Sequence, residues 1–182
     1  MSNYHGTTIL AVRRNGKCAI GGDGQLTLDD TIIKSKGKKV RKIFEEQVLV
    51  GYAGAAADAL ALLDIFEGKL KQHNGNLTMS ALDMAKEWRM DRNLRRLEAD
   101  MVVMDKQKMY LISGLGEVIE PDDNIIALGS GGSFALSAGR ALYQHTEMTA
   151  AEIVKAALSI ASEICIFTNA NLTIEELVDK AG

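Results

Sequence analysis

The hydrophobic period of this chain switches four times, and that order constrains the fold more than any single motif. Residues 8–12 are short, apolar and β-branched, and residues 18–22 return after Arg14-Asn15-Gly16. Asn-Gly between two such runs is the strongest short hairpin signal. Residues 31–35, 40–44 and 47–52 read as further strands. From 55 to 71 the pattern changes: Leu60, Leu63, Phe66 and Leu70 space as one face of a helix. Asn74-Gly75-Asn76 interrupts it, and residues 78–93 read as a second helix with Leu82, Ala85 and Trp88 on one side. Ser80, with Asp83 three residues on, is a candidate cap for it. Strands resume at 100–104, 109–114, 118–119 and 125–128, and residues 133–144 form a third helix. Thr149-Ala150-Ala151-Glu152 is a capping-box pattern that opens a fourth, running to about residue 164. Residues 172–177 pair as an edge strand. Grouped strands and paired helices disfavour alternating βαβ units. The expected fold is therefore α+β, an antiparallel sheet pair with a helix pair on each outer face: a four-layer αββα sandwich.

Composition narrows the function classes. With 182 residues, one proline (Pro121) and no low-complexity linker, the chain fits one domain. The formal net charge of −3 argues against a nucleic-acid partner, which normally needs a strongly basic face. The one basic cluster, residues 34–42, holds six Lys or Arg. Cys18 and Cys165 sit in apolar runs and read as buried small hydrophobes in a reducing compartment. No apolar run reaches the ~20 residues that span a bilayer. Residues 1–6 lack the apolar centre of a secretory signal. A cytoplasmic protein without membrane contact is expected.

Thr7-Thr8 follows Gly6 at the start of the first strand. Its plain reading is two β-formers. Its chemical reading requires cleavage between Gly6 and Thr7, which places a hydroxyl and a free α-amine on one residue. Such an amine has a pKa of about 7.7–8.0, so a useful fraction is neutral at cell pH and can take the hydroxyl proton. That supplies nucleophile and general base without histidine. Gly6 lacks a Cβ, so its carbonyl can approach the Thr7 hydroxyl in an unusual backbone geometry that favours self-cleavage through an ester. None of the three histidines suits a triad: His5 would leave with the cleaved segment, and His73 and His145 read as solvated groups at helix ends.

Other residues could support this chemistry. Lys39, entering a strand from the basic cluster, could hold the nucleophile's oxygen, although the alternation around it does not decide which face it uses. Asp23, in Gly22-Asp23-Gly24-Gln25, is turn chemistry or the anchor of a buried lysine. The segment from Gly51 to Gly54 joins a strand to a helix start, where backbone N–H groups can stabilise an oxyanion. Gly129-Ser130-Gly131-Gly132 also joins a strand to a helix. It lacks the Gly-Lys-Ser/Thr tail of a P-loop and the dinucleotide spacing.

In order along the chain, these residues resemble the HslV (ClpQ-type) peptidases, relatives of the proteasome β-subunits. The resemblance rests on Thr7-Thr8-Ile9, Arg13-Arg14-Asn15-Gly16, Gly22-Asp23-Gly24-Gln25, Lys38-Lys39-Val40-Arg41 and Gly51-Tyr52-Ala53-Gly54. It continues through Ala57-Asp58-Ala59, Lys86-Glu87-Trp88-Arg89, Leu94-Arg95, Gly129-Ser130-Gly131-Gly132, Ala138-Gly139-Arg140-Ala141-Leu142 and Ile164-Cys165-Ile166-Phe167-Thr168-Asn169. It implies an N-terminal-nucleophile hydrolase fold and a threonine endopeptidase that degrades unfolded proteins. It implies Thr7 as nucleophile after removal of residues 1–6, with residues 7–182 as the peptidase domain. Lys39 would tune Thr7, Asp23 and Ser130 would complete the surround, and the Gly54 N–H would hold the oxyanion. It further implies two stacked six-membered rings, a homo-dodecamer, gated by an HslU-type hexameric ATPase. No organic cofactor is implied. A monovalent cation, sodium, would lie near the end of the fourth helix, on backbone carbonyls of Ser162, Cys165 and Thr168. Family members commonly carry Gly where Ser162 stands. Many also begin with Thr directly after the initiator Met, so the six preceding residues here make processing a requirement. A small-molecule amidase on the same fold, a scaffold subunit with its threonine left capped, and a Ser130–Lys39 hydrolase remain open at this stage.

Overall fold

A computed structural model describes residues 4–54, 56–92, 94 and 99–177. The expected helix limits at Ala55 and Asn93 lie outside the described residues, as do Arg95 of the resemblance and residues 1–3 of the expected leader. The chain runs β1 (Tyr4–His5), β2 (Thr8–Arg14), β3 (Lys17–Gly22), β4 (Leu26–Leu28), β5 (Thr31–Lys34), β6 (Val40–Ile43) and β7 (Val48–Gly54). Then come α1 (Ala56–Gln72), α2 (Leu77–Met90), β8 (Ala99–Met104), β9 (Met109–Ile112), β10 (Val118–Ile119) and β11 (Ile125–Gly129). It ends with α3 (Gly132–His145), α4 (Ala150–Ile164) and β12 (Thr173–Leu177).

Two antiparallel sheets form the centre. One has the order β11-β2-β3-β12 and the other β10-β9-β8-β7-β6. The β2–β3 hairpin closes at Asn15 and Gly16, both with positive φ, as a two-residue turn of matching twist requires. Along β2 the side chains alternate between two interiors. Ile9 and Ala11 meet Leu49, Val102 and Met104 between the sheets, while Leu10 and Val12 meet Ile153, Val154 and Leu158 of α4. A third interior joins Val48, Val50 and Tyr52 of β7 to Phe66 of α1 and Trp88 of α2. Three apolar seams separate four layers, helix pair, sheet, sheet, helix pair, and the αββα expectation holds.

Three local expectations change. The cap of α2 is Asn76, whose side chain accepts from the Met79 N–H; Ser80 lies one turn in, and its hydroxyl donates to the Asn76 carbonyl. Asn76 sits at the break itself, so it meets the orphan amides first. His73 is not a free solvated group: its Nε2 lies 3.1 Å from Asp83, which also pairs with Lys69 at 3.1 Å, tying α1 to α2. The third is a small sheet, β1-β4-β5, in which Tyr4 and His5 pair antiparallel with Leu28 and Thr27. The Thr149–Glu152 capping box is formed as expected, His145 is exposed, and both cysteines are buried and free. Burial pushes the Cys18 thiol up to about 11, so it stays an inert apolar group.

Candidate active site

Thr7 immediately precedes β2 and is buried. Gly6 before it has φ +122°, a conformation that side chains rarely adopt. The Thr7 hydroxyl donates to the Gly6 carbonyl at 2.5 Å. The Lys39 ammonium donates to the same oxygen at 2.8 Å. A hydroxyl and an ammonium therefore converge on one carbonyl, that of the Gly6–Thr7 peptide bond.

Lys39 is buried although it belongs to the basic cluster; Lys34, Lys36, Lys38 and Arg41 of that cluster are exposed. Its three hydrogens go to Gly6 O, Asp23 Oδ1 at 2.9 Å and Gln25 O at 2.5 Å. Burial holds its pKa below the ordinary lysine value, and the Asp23 charge and hydrogen bond oppose that fall. Asp23 is fully buried and accepts four N–H groups: Thr8 N and Lys39 Nζ on Oδ1, Gln25 N and Asn169 N on Oδ2.

β11 brings the third part. Ser130 follows it, and its hydroxyl donates to the Thr7 carbonyl at 3.4 Å. Gly129, at φ +82°, packs so closely on that carbonyl that a Cβ there would overlap it. Gly131 N donates to the Thr8 hydroxyl, which meets the Thr168 hydroxyl at 2.6 Å. Gly54 ends β7 on the opposite wall, and Thr7, Leu26, Ala53, Gly54, Gly129 and Ser130 line a cavity of about 290 Å³. Thr7, Lys39, Asp23, Ser130 and Gly54 are thus brought together. A larger cavity of about 630 Å³, between the turns at Glu46, Asn76 and Asp105, holds none of them.

The expected cation positions lie on the last turn of α4 and the turn after it. Thr168 Oγ is engaged with Thr8, and Ser162 Oγ donates to the Ser159 carbonyl. That leaves main-chain carbonyls as the donors, a set that suits a hard monovalent cation; among the described residues no cluster of three or more His, Cys, Asp or Glu could hold a metal. Sequence reasoning missed three supports of the site: the Gln25 carbonyl under Lys39, the Thr8–Thr168 contact, and Asn169. Asn169 gives its N–H to Asp23 and accepts from Gly24 N at 3.2 Å. All three lay inside quoted motifs, but their partners are up to 160 residues away.

Comparison with known proteins agrees with this geometry. The profile of the Proteasome subunit family matches residues 3–177. The chain is 56% identical over 180 residues to the ATP-dependent protease subunit HslV of Bacillus cereus strain Q1, covering 97% of this chain and 100% of that one. The same figures hold for HslV of Bacillus anthracis strain CDC 684 / NRRL 3495. The crystal structure of eukaryotic HslV from Trypanosoma brucei superposes with a TM-score of 0.89 at 41% identity, covering 93% of this chain and 98% of that one. Thiobacillus denitrificans BPH in complex with epoxomicin shares the fold, with a TM-score of 0.67 at 18% identity over 93% and 97% of the two chains. The chain belongs to the proteasome-subunit family, as a peptidase subunit of the HslV type.

Proposed function

We propose that Thr7 is the nucleophile of this threonine peptidase and that residues 1–6 are a leader the chain removes from itself. The observation that carries the reading is the convergence of Thr7 Oγ and Lys39 Nζ on the Gly6 carbonyl. Thr7 Oγ adds to the Gly6 carbonyl carbon while the Lys39 ammonium stabilises the charge growing on its oxygen. The C–N bond breaks, the hydroxyl proton ends on the Thr7 nitrogen, and residues 1–6 become an ester on Oγ. Water hydrolyses that ester and releases the leader as a carboxylate.

With Gly6 gone, one Lys39 hydrogen is released toward Thr7 Oγ. The new amine takes the hydroxyl proton as Oγ attacks a substrate carbonyl, then passes it to the leaving amine. The acyl ester is hydrolysed by water with the same amine as base. The Gly54 N–H, on the far wall of the cavity, is the proposed oxyanion donor, and Ser130 supports the Thr7 backbone.

The wider reading follows the resemblance: unfolded proteins as substrates, a homo-dodecamer of two stacked six-membered rings, and an HslU-type hexameric ATPase that supplies them. A sodium ion on the carbonyls of Ser162, Cys165 and Thr168 would stiffen the turn behind Asp23. No helix among the described residues is long and apolar enough to cross a membrane, and a cytoplasmic setting is proposed. The test is Thr7→Ala. It should retain the leader by intact mass, lose peptide hydrolysis by about 10³-fold or more, and assemble as the wild type does on size exclusion. Hydrolysis at wild-type rate by that variant overturns the assignment.

A further inference from the structure

Gln25 carries more of the site than its place in a turn motif suggests. It is buried, and its backbone N–H, its carbonyl and its side-chain NH2 group are each engaged. Its N–H donates to Asp23 Oδ2 at 2.9 Å, and its carbonyl accepts from Lys39 at 2.5 Å. Its side-chain amide donates to the Ile166 carbonyl at 2.9 Å and to Thr27 Oγ at 3.0 Å. Because the Ile166 carbonyl can only accept, the amide nitrogen must face it.

The far end of this strut matters. Ile166 lies in the turn closed by Thr168 N on the Cys165 carbonyl. The Ile166 side chain is 80% exposed and cannot hold the turn inward by packing. The Gln25 amide therefore fastens that turn to the interior, and the same turn presents Thr168 to Thr8 and Asn169 to Asp23.

The near end sets direction. An ammonium has three hydrogens in fixed tetrahedral relation, so two acceptors determine where the third points. Asp23 Oδ1 and Gln25 O are the two that remain once Gly6 departs. We infer that Gln25 is a positioning residue: by clamping its own carbonyl between Asp23, Thr27 and the 165–168 turn, it aims the third Lys39 hydrogen at Thr7 Oγ. This inference rests on the Thr7 reading above. The Gln25 side chain touches neither substrate nor Thr7, and it acts only through Lys39.

The test uses Gln25→Met, which preserves length and volume but removes both amide donors. Processed enzyme is counted by titration with a covalent probe of the N-terminal threonine, and peptide hydrolysis is expressed per titrated site. The expected result is a kcat lower by about 10–100-fold, as for an ångström-scale misplacement of a catalytic group, with KM within about twofold of wild type. A purely structural role would lower the number of titratable sites and leave kcat per site intact. Wild-type kcat per site, or a loss carried in KM, overturns the inference. If Gln25→Met does not accumulate as folded protein, Thr27→Val removes one amide acceptor at a distance from Ile166. It should lower kcat per site several-fold, and an unchanged value overturns the inference equally. Thr7→Ala assayed alongside separates the two claims: inactive Thr7→Ala with fully active Gln25→Met refutes only the positioning role, whereas active Thr7→Ala refutes the reading beneath it.

Discussion

Gly6→Ala probes self-cleavage without altering the finished enzyme, because the substituted residue leaves with the leader. At Gly6 the backbone has φ +122°, and an added Cβ would lie 2.9 Å from the Gln25 carbonyl oxygen and 3.3 Å from Thr27 N. Both neighbours are backbone atoms, and the Gln25 carbonyl also accepts from Lys39, so it cannot yield without disturbing that contact. The cheaper response is rotation of the Gly6 peptide, which swings its carbonyl away from Thr7 Oγ and Lys39 Nζ. A side chain at such a φ costs about 1–3 kcal/mol, and withdrawing that much from the poised conformer slows cleavage roughly 5- to 150-fold. The assay follows precursor and product by intact mass after pulse synthesis. Processing of the alanine precursor should lag by one to two decades, and the product, once formed, should start at Thr7 and hydrolyse peptide at the wild-type kcat. Removal of the leader at the wild-type rate would refute the argument that this backbone geometry drives the step.

Two further outcomes follow from the same geometry. Asp23→Asn removes the charge that opposes the burial-lowered pKa of Lys39. The lysine pKa should then fall further; since the charged form is the working one, the alkaline limb of kcat/KM should move to lower pH, and an unmoved or raised limb would contradict this. Maximal kcat should also drop by about 10²-fold or more. Trp88 is fully buried in the seam between α2 and its sheet. Trp88→Ala should cost about 3–5 kcal/mol, a fall in Tm of roughly 6–20 °C by calorimetry, and a shift under 3 °C would sink the packing argument.

Much of the fold was legible because it is written in local chemistry. Asn15-Gly16, the period change after Gly54 and the Thr149–Glu152 box each act within a few residues, and each appears where expected. The small β1-β4-β5 sheet was not legible: β1 and β4 are two and three residues long, too short for a period to register. The face of Lys39 was undecidable for a related reason. It lies just before β6 in a run of charges, and the groups that draw it inside, Asp23 with the Gly6 and Gln25 carbonyls, lie fourteen or more residues upstream. His73 was misread because its partner, Asp83, sits on the next helix, beyond any sequence window centred on α1. Gln25 was quoted within a motif and left without a role, since its meaning depends on a carbonyl 141 residues away.

The chemical groups come from both halves of the sandwich. Thr7, Asp23 and Ser130 flank strand ends of the β11-β2-β3-β12 sheet, whereas Lys39 immediately precedes β6 and Gly54 ends β7 of the other. The Lys39–Asp23 contact at 2.9 Å is therefore a bolt driven across the joint between two slabs. Sliding one slab by an ångström would break it while leaving both ladders of backbone bonds untouched. Hydrolytic rate in such a molecule is a gauge of slab alignment, and it should decay under gentle heating before circular dichroism registers any loss of strand or helix.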